Sequence, residues 1–251
     1  MDKTYEKKYH SLENYHWWFA SRRRKVIEMA EVAPGKTYLD VGCSTGVLLE
    51  KLMEAGAAPE DVYGVDISKE AIERCHEKGL KNTYLGDGAK VEGFAPNSFD
   101  CIIASDCLEH IEDDAAALHR WYELLKPGGR LIVFVPAFMS LWSPHDVVNH
   151  HFRRYTLPEL ERKMKAHRFR LLSKGYWNFT LFLPILLFRT AKNLKAKIAG
   201  EKMPREDLNA PNPAVNKLLF GLLNTENRLM DWVRYPFGVS TFCIGTKQQD
   251  R

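Results

Sequence analysis

Nowhere in this 251-residue chain does an apolar run last the roughly 20 residues that a membrane-spanning helix requires. The opening, MDKTYEKKYH, is charged from its second residue, so no secretory leader is expected. No CxxC pair occurs, and the odd set of five cysteines (43, 75, 101, 107 and 243) is scattered through apparent core segments. That usage excludes a disulfide framework and points to reduced thiols in a cytoplasmic protein. Zinc spacings such as HExxH are missing as well. No repeat or low-complexity tract is visible, and a net charge of +4 without a long basic stripe argues against nucleic acid as a partner. What remains is ordinary globular composition, 45% apolar and 27% charged, long enough for one large α/β domain with an insertion.

From residue 37 the chain alternates strand-like and helix-like segments, the pattern of a parallel sheet covered on both faces. Strands are expected at 37–42, 61–66, 82–87, 99–105, 129–136, 169–177 and 238–247, with helices between them. The helix at EDDAAALHRWYELLKPGG should stop at Pro127 and the two glycines after it. About sixty residues before the last strand exceed what the sheet needs. They hold the apolar NFTLFLPILLFRT, a basic segment with leucine and isoleucine at helical spacing, a proline-rich linker and an apolar helical stripe at 215–233. Two helices packing on each other and on the sheet edge is the expected role; a lid over a greasy substrate, or contact with a membrane surface, would be sharper ones. The organisation reads as 1–36 (N-terminal helical lid segment), 37–177 plus 237–251 (core domain) and 178–236 (helical insertion or cap).

The loop YLDVGCSTG lacks the middle glycine of GxGxxG, the fingerprint of a dinucleotide site. It also carries Asp40 two residues before Gly42. A carboxylate there repels a diphosphate but attracts an ammonium or a sulfonium, and S-adenosylmethionine (SAM) carries both. Asp66 ends the second strand, where a carboxylate can accept from two ribose hydroxyls. Asp87 ends the third, where with Gly88 and Ala89 it can meet an adenine edge. A strand-end aspartate by itself is often only a helix cap. Three at consecutive strand tips form a pattern.

LDVGCSTG, VYGVDIS, LGDGAKVEGFAPNSFDCIIASDCLEHI and LKPGGRLIVFVP resemble the ordered motifs of class I SAM-dependent methyltransferases, in the broad type 11/12 group. The resemblance covers roughly 37–136 and implies a Rossmann-like sheet of seven strands with the final strand antiparallel, here with an N-terminal helical segment and a helical insertion between the last two strands. It implies that Gly42, Cys43 and Gly46 line the methionine part of SAM, with Asp40 near its amino group. Asp66 would take the ribose, Ile67 and Ala89 would flank adenine, Asp87 with Gly88 would contact it, and Ser105 would face the cofactor, whose product is S-adenosylhomocysteine. Ser44 stands where the family commonly has a middle glycine. The flanks ENYHWWFASRRRKVI and LWSPHDVVNHHFRRYTLPEL are similar to a bacterial subgroup with HWWF, HD and RRYT blocks, found with natural-product, peptide-tailoring and envelope-glycolipid pathways.

Methyl transfer is an in-line displacement, so the protein chiefly positions a nucleophile and excludes water. A hydroxyl nucleophile needs a base, usually histidine, whereas a carboxylate is already ionised and needs a cationic clamp. HHFRRYT offers His150 and His151 as bases, Arg153 and Arg154 as clamps and Tyr155 as a donor. His110 and His145 are further candidates, and His110 equally suits a loop-holding role. Tyr15, His16, Trp17, Trp18 and Phe19 either staple an opening helix or roof the pocket, with Arg22 and Arg23 toward an anionic substrate. Otherwise SRRRK reads as a solvated helix face. His145, Asp146, His150 and His151 follow no standard metal spacing, so no metal is expected. SDCL replaces the Asn/Asp-Pro-Pro-aromatic loop of base-nitrogen methylation, and Cys107 alone is too little for base-carbon chemistry. The expectation is an O-methyltransferase acting on an acidic acceptor, such as a modified peptide's C-terminal carboxylate. The alternatives are a hydroxyl on a small or lipid-like metabolite, and a SAM binder without catalysis.

Overall fold

The computed structural model describes residues 3–199 and 211–248. Its seven strands are β1 (Tyr38–Val41), β2 (Val62–Asp66), β3 (Thr83–Leu85), β4 (Phe99–Ser105), β5 (Leu125–Pro136), β6 (Arg170–Trp177) and β7 (Ser240–Thr246). They form one sheet in the order β3-β2-β1-β4-β5-β7-β6. Neighbours run parallel except that β7 is antiparallel to both β5 and β6. Seven strands with an antiparallel last one is the expected architecture. The central strands are short apolar runs because both of their faces are covered. Leu39, Ile102 and Leu131 join Trp121 in one core cluster, while Tyr38, Ile103 and Ile132 join Trp177 in the other.

The helices are α1 (Lys3–Leu12), α2 (Trp17–Ala30), α3 (Val47–Glu54), α4 (Lys69–Glu77), α5 (Asp114–Leu124), α6 (Pro144–Val148), α7 (Leu157–Ala166), α8 (Phe182–Ala199) and α9 (Pro213–Leu229). Several start where side-chain oxygens can satisfy free backbone N–H groups: Ser68 accepts from Ala71, Asp113 accepts from Ala116, and Thr156 with Glu159 forms a capping box. Strand order reverses between β1 and β4, which opens a crevice at the carboxyl ends of the strands.

Three local expectations change. α5 ends at Leu124 rather than at the Pro-Gly-Gly, and Leu125 already pairs with Phe99. Lys126–Gly129 then forms a register shift inside β5, where a Cβ on Gly129 would lie 2.8 Å from the Lys126 carbonyl oxygen. Only glycine fits so close a backbone approach. The SRRRK stretch is not a solvated face: Ser21, Arg22 and Lys25 are buried, and Lys25 reaches the Asn227 carbonyl and Asp231 on the far side of the chain. The insertion helices also find different neighbours. α9 packs chiefly on α2, and α8 packs on the short turn Met139–Leu141. Residues 200–210, the end of the basic segment and most of the expected linker, lie outside the described residues. No helix among the described residues is long and apolar enough to cross a membrane.

Candidate active site

A cavity of about 1340 Å³ spans the carboxyl ends of β1, β2 and β4. A single drug-sized ligand needs about 300–1,000 Å³, so there is room for a cofactor and an acceptor side by side. A smaller cleft of about 60 Å³ adjoins it, and Gly42 and Ser44 line both.

The cofactor end is built largely from backbone. Gly42 sits at φ +80°, and a Cβ there would press on Cys107 at 3.3 Å. A Cβ on Gly88 would meet Val41 Cγ1 at 3.0 Å. Both positions must stay bare, leaving a cradle in the cavity lining. Ser44 has φ +49°, a left-handed conformation that explains why glycine suits this position, and its Oγ is buried without a partner. Gly46, at φ +79°, serves packing instead. A Cβ there would collide with Leu80 Cδ1 at 2.3 Å, so the bare position lets α4 and its following turn pack close rather than lining the main cavity. The Cys43 side chain likewise turns into the core.

Asp66 Oδ2 accepts from the Ser44 N–H and Oδ1 from the Ser68 N–H, both at 2.8 Å. A carboxylate has about four acceptor sites, so two remain for hydroxyls. Asp87 Oδ1 accepts from Ala89 N–H at 2.8 Å, while Ala89 itself packs on the core. Ile67 is 80% exposed and lines the cavity, an apolar flank without a cover. Asp40 lines the small cleft together with Ser105. Burial, reinforced by Asp66 and Glu13, pushes its carboxyl up to about 8, and no hydrogen bond or ion pair engages it among the described residues. Such a group suits a cationic ligand. The bare cradle, the apolar flank and this unpartnered carboxylate all fit SAM.

The N-terminal helices close over this end. Glu6 of α1 hydrogen-bonds Ser68 Oγ, and Glu13, buried beside Asp40, hydrogen-bonds Thr45. Sequence reasoning missed Glu6 and Glu13 as site residues; Glu13 stands at the start of the E-x-x-HWWF block, which was its one available signal. His16 caps α2 by accepting from Trp18 N–H, and burial lowers it to about 4, so it is neutral. Trp17 and Trp18 line the cavity, and Trp18 also packs edge-on against Trp177. Tyr15 points elsewhere, half-exposed and outside the cavity lining. Arg22 pairs with Asp106 and Arg23 donates to the carbonyls of Glu13 and Asn14. Both lie along the small cleft and hold the N-terminal segment rather than facing the main cavity.

The other end carries the titratable groups. His151 Nδ1 lies 2.9 Å from Asp146 Oδ1. Although burial pushes the other way, the hydrogen bond from His151 and the Arg154 charge hold Asp146 well below the usual carboxylate range. Asp146 can therefore only accept, so His151 Nδ1 carries the proton it faces and the ring is oriented by that bond. His110 stacks edge-on with His151 at 4.5 Å between ring centroids. Burial lowers His110 and His145 to about 3, so both are neutral. Glu109, fully buried and missed in the sequence, lines the same wall.

The expected clamp is engaged elsewhere. Arg154 holds Asp146 through Nε at 2.7 Å and Nη2 at 2.9 Å, and donates to the Ala137 carbonyl. Arg153 pairs with Asp114 at 3.0 Å and donates to Glu112, outside the cavity lining. Tyr155 is buried with its hydroxyl on Asp114 at 2.8 Å. Cys107 borders the cavity, but burial raises its thiol well above the ordinary value, which does not suit a nucleophile.

Residues 39–133 match the family described as Methyltransferase domain. The ubiquinone biosynthesis O-methyltransferase of Vibrio cholerae is 36% identical over 115 residues, covering 44% of this chain and 46% of that protein. The chain thus spans about half the length of the curated relatives it matches first. The enzyme of the same name from Methylococcus capsulatus is 29% identical over 184 residues, 71% of this chain and 70% of that one. Among solved structures, phosphoethanolamine N-methyltransferase 2 of Haemonchus contortus with bound S-adenosylhomocysteine superposes with a TM-score of 0.63 at 20% identity, over 99% of this chain and 58% of that one. At that identity the likeness speaks to the fold. Residues 39–133 thus match a methyltransferase domain, and the strand order of the sheet is that of the Rossmann-like methyltransferase fold.

Proposed function

We propose that the protein transfers a methyl group to a hydroxyl of a small, largely apolar metabolite. The carrying observation is the wall of His151, His110 and Glu109, with Arg154 and Arg189 beside it, in a cavity whose apolar lining includes Trp17, Phe152, Ile185 and Phe188. A hydroxyl must lose its proton to attack, and an Asp146-oriented imidazole is chemistry suited to that demand. The names of the relatives, ubiquinone biosynthesis O-methyltransferases, lend support to oxygen as the nucleophile.

S-adenosylmethionine, when bound, supplies an electrophilic methyl group. Gly42 and Gly88 give it room, Asp66 and Asp87 offer acceptors to its hydroxyls and amine, and Asp40 offers charge to its ammonium. The lid residues Glu6 and Glu13 tie α1 to the cofactor loops, and Trp17 and Trp18 exclude water from the acceptor side. His151 and its neighbours draw the acceptor's proton, and α8 supplies the apolar side wall through Ile185 and Phe188. An acidic acceptor finds less here, because Arg153 and Arg154 already hold Asp114 and Asp146.

The test is incubation with SAM and matched pairs of apolar phenols or alcohols and their carboxylic acids, scored for S-adenosylhomocysteine release and for the methylated product. Methyl ethers support the reading. Methyl esters alone would restore the acidic acceptor, and SAM binding without any release would favour a binder.

A further inference from the structure

We propose that Glu109, His110 and His151 form a site for a divalent transition-metal ion in the acceptor wall. One ligand atom from each lies within 4.8 Å of the other two. Bonds of about 2.1 Å require ligand atoms about 3–3.4 Å apart, a closure within reach of small side-chain rotations.

Glu109 makes the argument. It is wholly buried, yet neither Oε1 nor Oε2 has a hydrogen-bond partner. A buried carboxyl left that way is costly whichever form it takes: ionised it lacks a counter-charge in contact, and protonated it lacks an acceptor for its proton. A cation between Glu109 and the two imidazoles satisfies all three at once.

The histidines are arranged as ligands require. His151 donates its Nδ1–H to Asp146, which orients the ring and leaves Nε2 as the nitrogen open to a ligand. Outer partners of this kind fix the tautomer of metal-bound imidazoles. Two imidazoles and one carboxylate suit zinc, manganese, iron or cobalt better than magnesium or calcium, which prefer oxygen alone.

All three residues line the cavity, so further coordination positions would open toward the acceptor. On the reading that this wall faces a hydroxyl, a bound ion held by Glu109, His110 and His151 would supply Lewis-acid activation of the acceptor oxygen; His151 would then change from the base proposed above to a ligand, and the hydroxyl proton would leave to water. Acceptors with two adjacent oxygens would fit such a centre best. No standard spacing announces it, because the ligands come from two segments 41 residues apart.

Chelator-stripped protein is titrated with Co²⁺ and followed by visible absorption, with Zn²⁺ competition by calorimetry. One equivalent should bind, and Glu109→Gln and His110→Gln should each weaken it at least ~10-fold. Glu109→Gln preserves shape and removes a buried charge, so folding should survive, and retained SAM binding verifies this. No stoichiometric uptake by the wild-type chain, or uptake unchanged in both variants, overturns the site. Neither result depends on turnover, so a failed metal site and a failed acceptor assignment remain separate findings.

Discussion

The two ends of the cavity are built on opposite plans. At the cofactor end the loops after β1, β2 and β3 supply mostly backbone, with one aspartate per strand tip. At the acceptor end the wall comes from side chains of segments 106–110 and 144–154, brought together across the crevice and held by buried ion pairs. A backbone-built subsite tolerates few changes at glycines but spreads its binding over many contacts. A side-chain-built subsite concentrates its chemistry in two or three groups. Substitutions in the two ends should therefore separate cleanly into losses of SAM affinity and losses of turnover.

The sharpest test of that separation is His151→Ala. Turnover should fall about 10²–10⁴-fold, the range for a lost proton-transfer group, with SAM affinity within twofold. Rapid-mix product assays and calorimetry read the two quantities. If His151 acts as a base, activity recovers in part as pH rises. If it is a metal ligand, the loss tracks Co²⁺ affinity and does not recover with pH. A variant that loses SAM binding instead would erase the distinction between the two ends.

Arg154→Ala comes next. Its guanidinium spans both oxygens of a buried carboxylate, and removing one partner of such a pair costs about 3–5 kcal/mol. Denaturant unfolding should shift accordingly. Full stability with lost activity would instead return Arg154 to the role of substrate clamp.

On the cofactor side, Asp66→Asn replaces a carboxylate that accepts from two loop N–H groups. Charge-assisted hydrogen bonds contribute about 1.5–3 kcal/mol, so SAM affinity should drop about 10–150-fold while the rate at saturating SAM changes little. Asp40 adds a pH signature. Its carboxyl stands near 8 in the folded chain against an ordinary 3.8. The folded state therefore binds more protons between those values, and stability without SAM falls as pH rises through that window. An ammonium beside Asp40 reverses the shift, so SAM binding at pH 7 should release close to one proton. Calorimetry in buffers of different ionisation enthalpy measures it. Proton uptake, or none, would remove Asp40 from the cation's contacts.

How much of this was legible before folding follows the same division. Strands and the aspartates at their tips can be read locally, because alternation, turn residues and strand ends lie within ten residues of one another; the sheet type, seven-stranded with the final strand antiparallel, came only from the resemblance of the ordered motifs. The acceptor wall cannot be read locally. Glu109 is adjacent to a noticed histidine, but its burial without partners is set by segments 41 residues away. Arg153 and Arg154 resemble a clamp in isolation, and only the fold brings Asp114 and Asp146 to them. SRRRK has the composition of a surface, yet Asp106, Asn227 and Asp231 meet it from distant positions and draw it inside. Charge pattern predicts exposure poorly wherever the opposite charges arrive from elsewhere in the chain.

The smallest effect tests the backbone plan itself. Ser44 adopts a left-handed conformation that costs a residue with a Cβ about 1–2 kcal/mol relative to glycine. Its Oγ is buried without a partner, which adds to the penalty. Ser44→Gly should therefore stabilise the protein by about 1 kcal/mol after the extra flexibility of the unfolded glycine is counted. If the cradle works through backbone alone, SAM affinity stays level or improves. A clear loss of affinity would mean that the orphaned hydroxyl serves the cofactor directly, and the cofactor end would then share the acceptor end's dependence on single side chains.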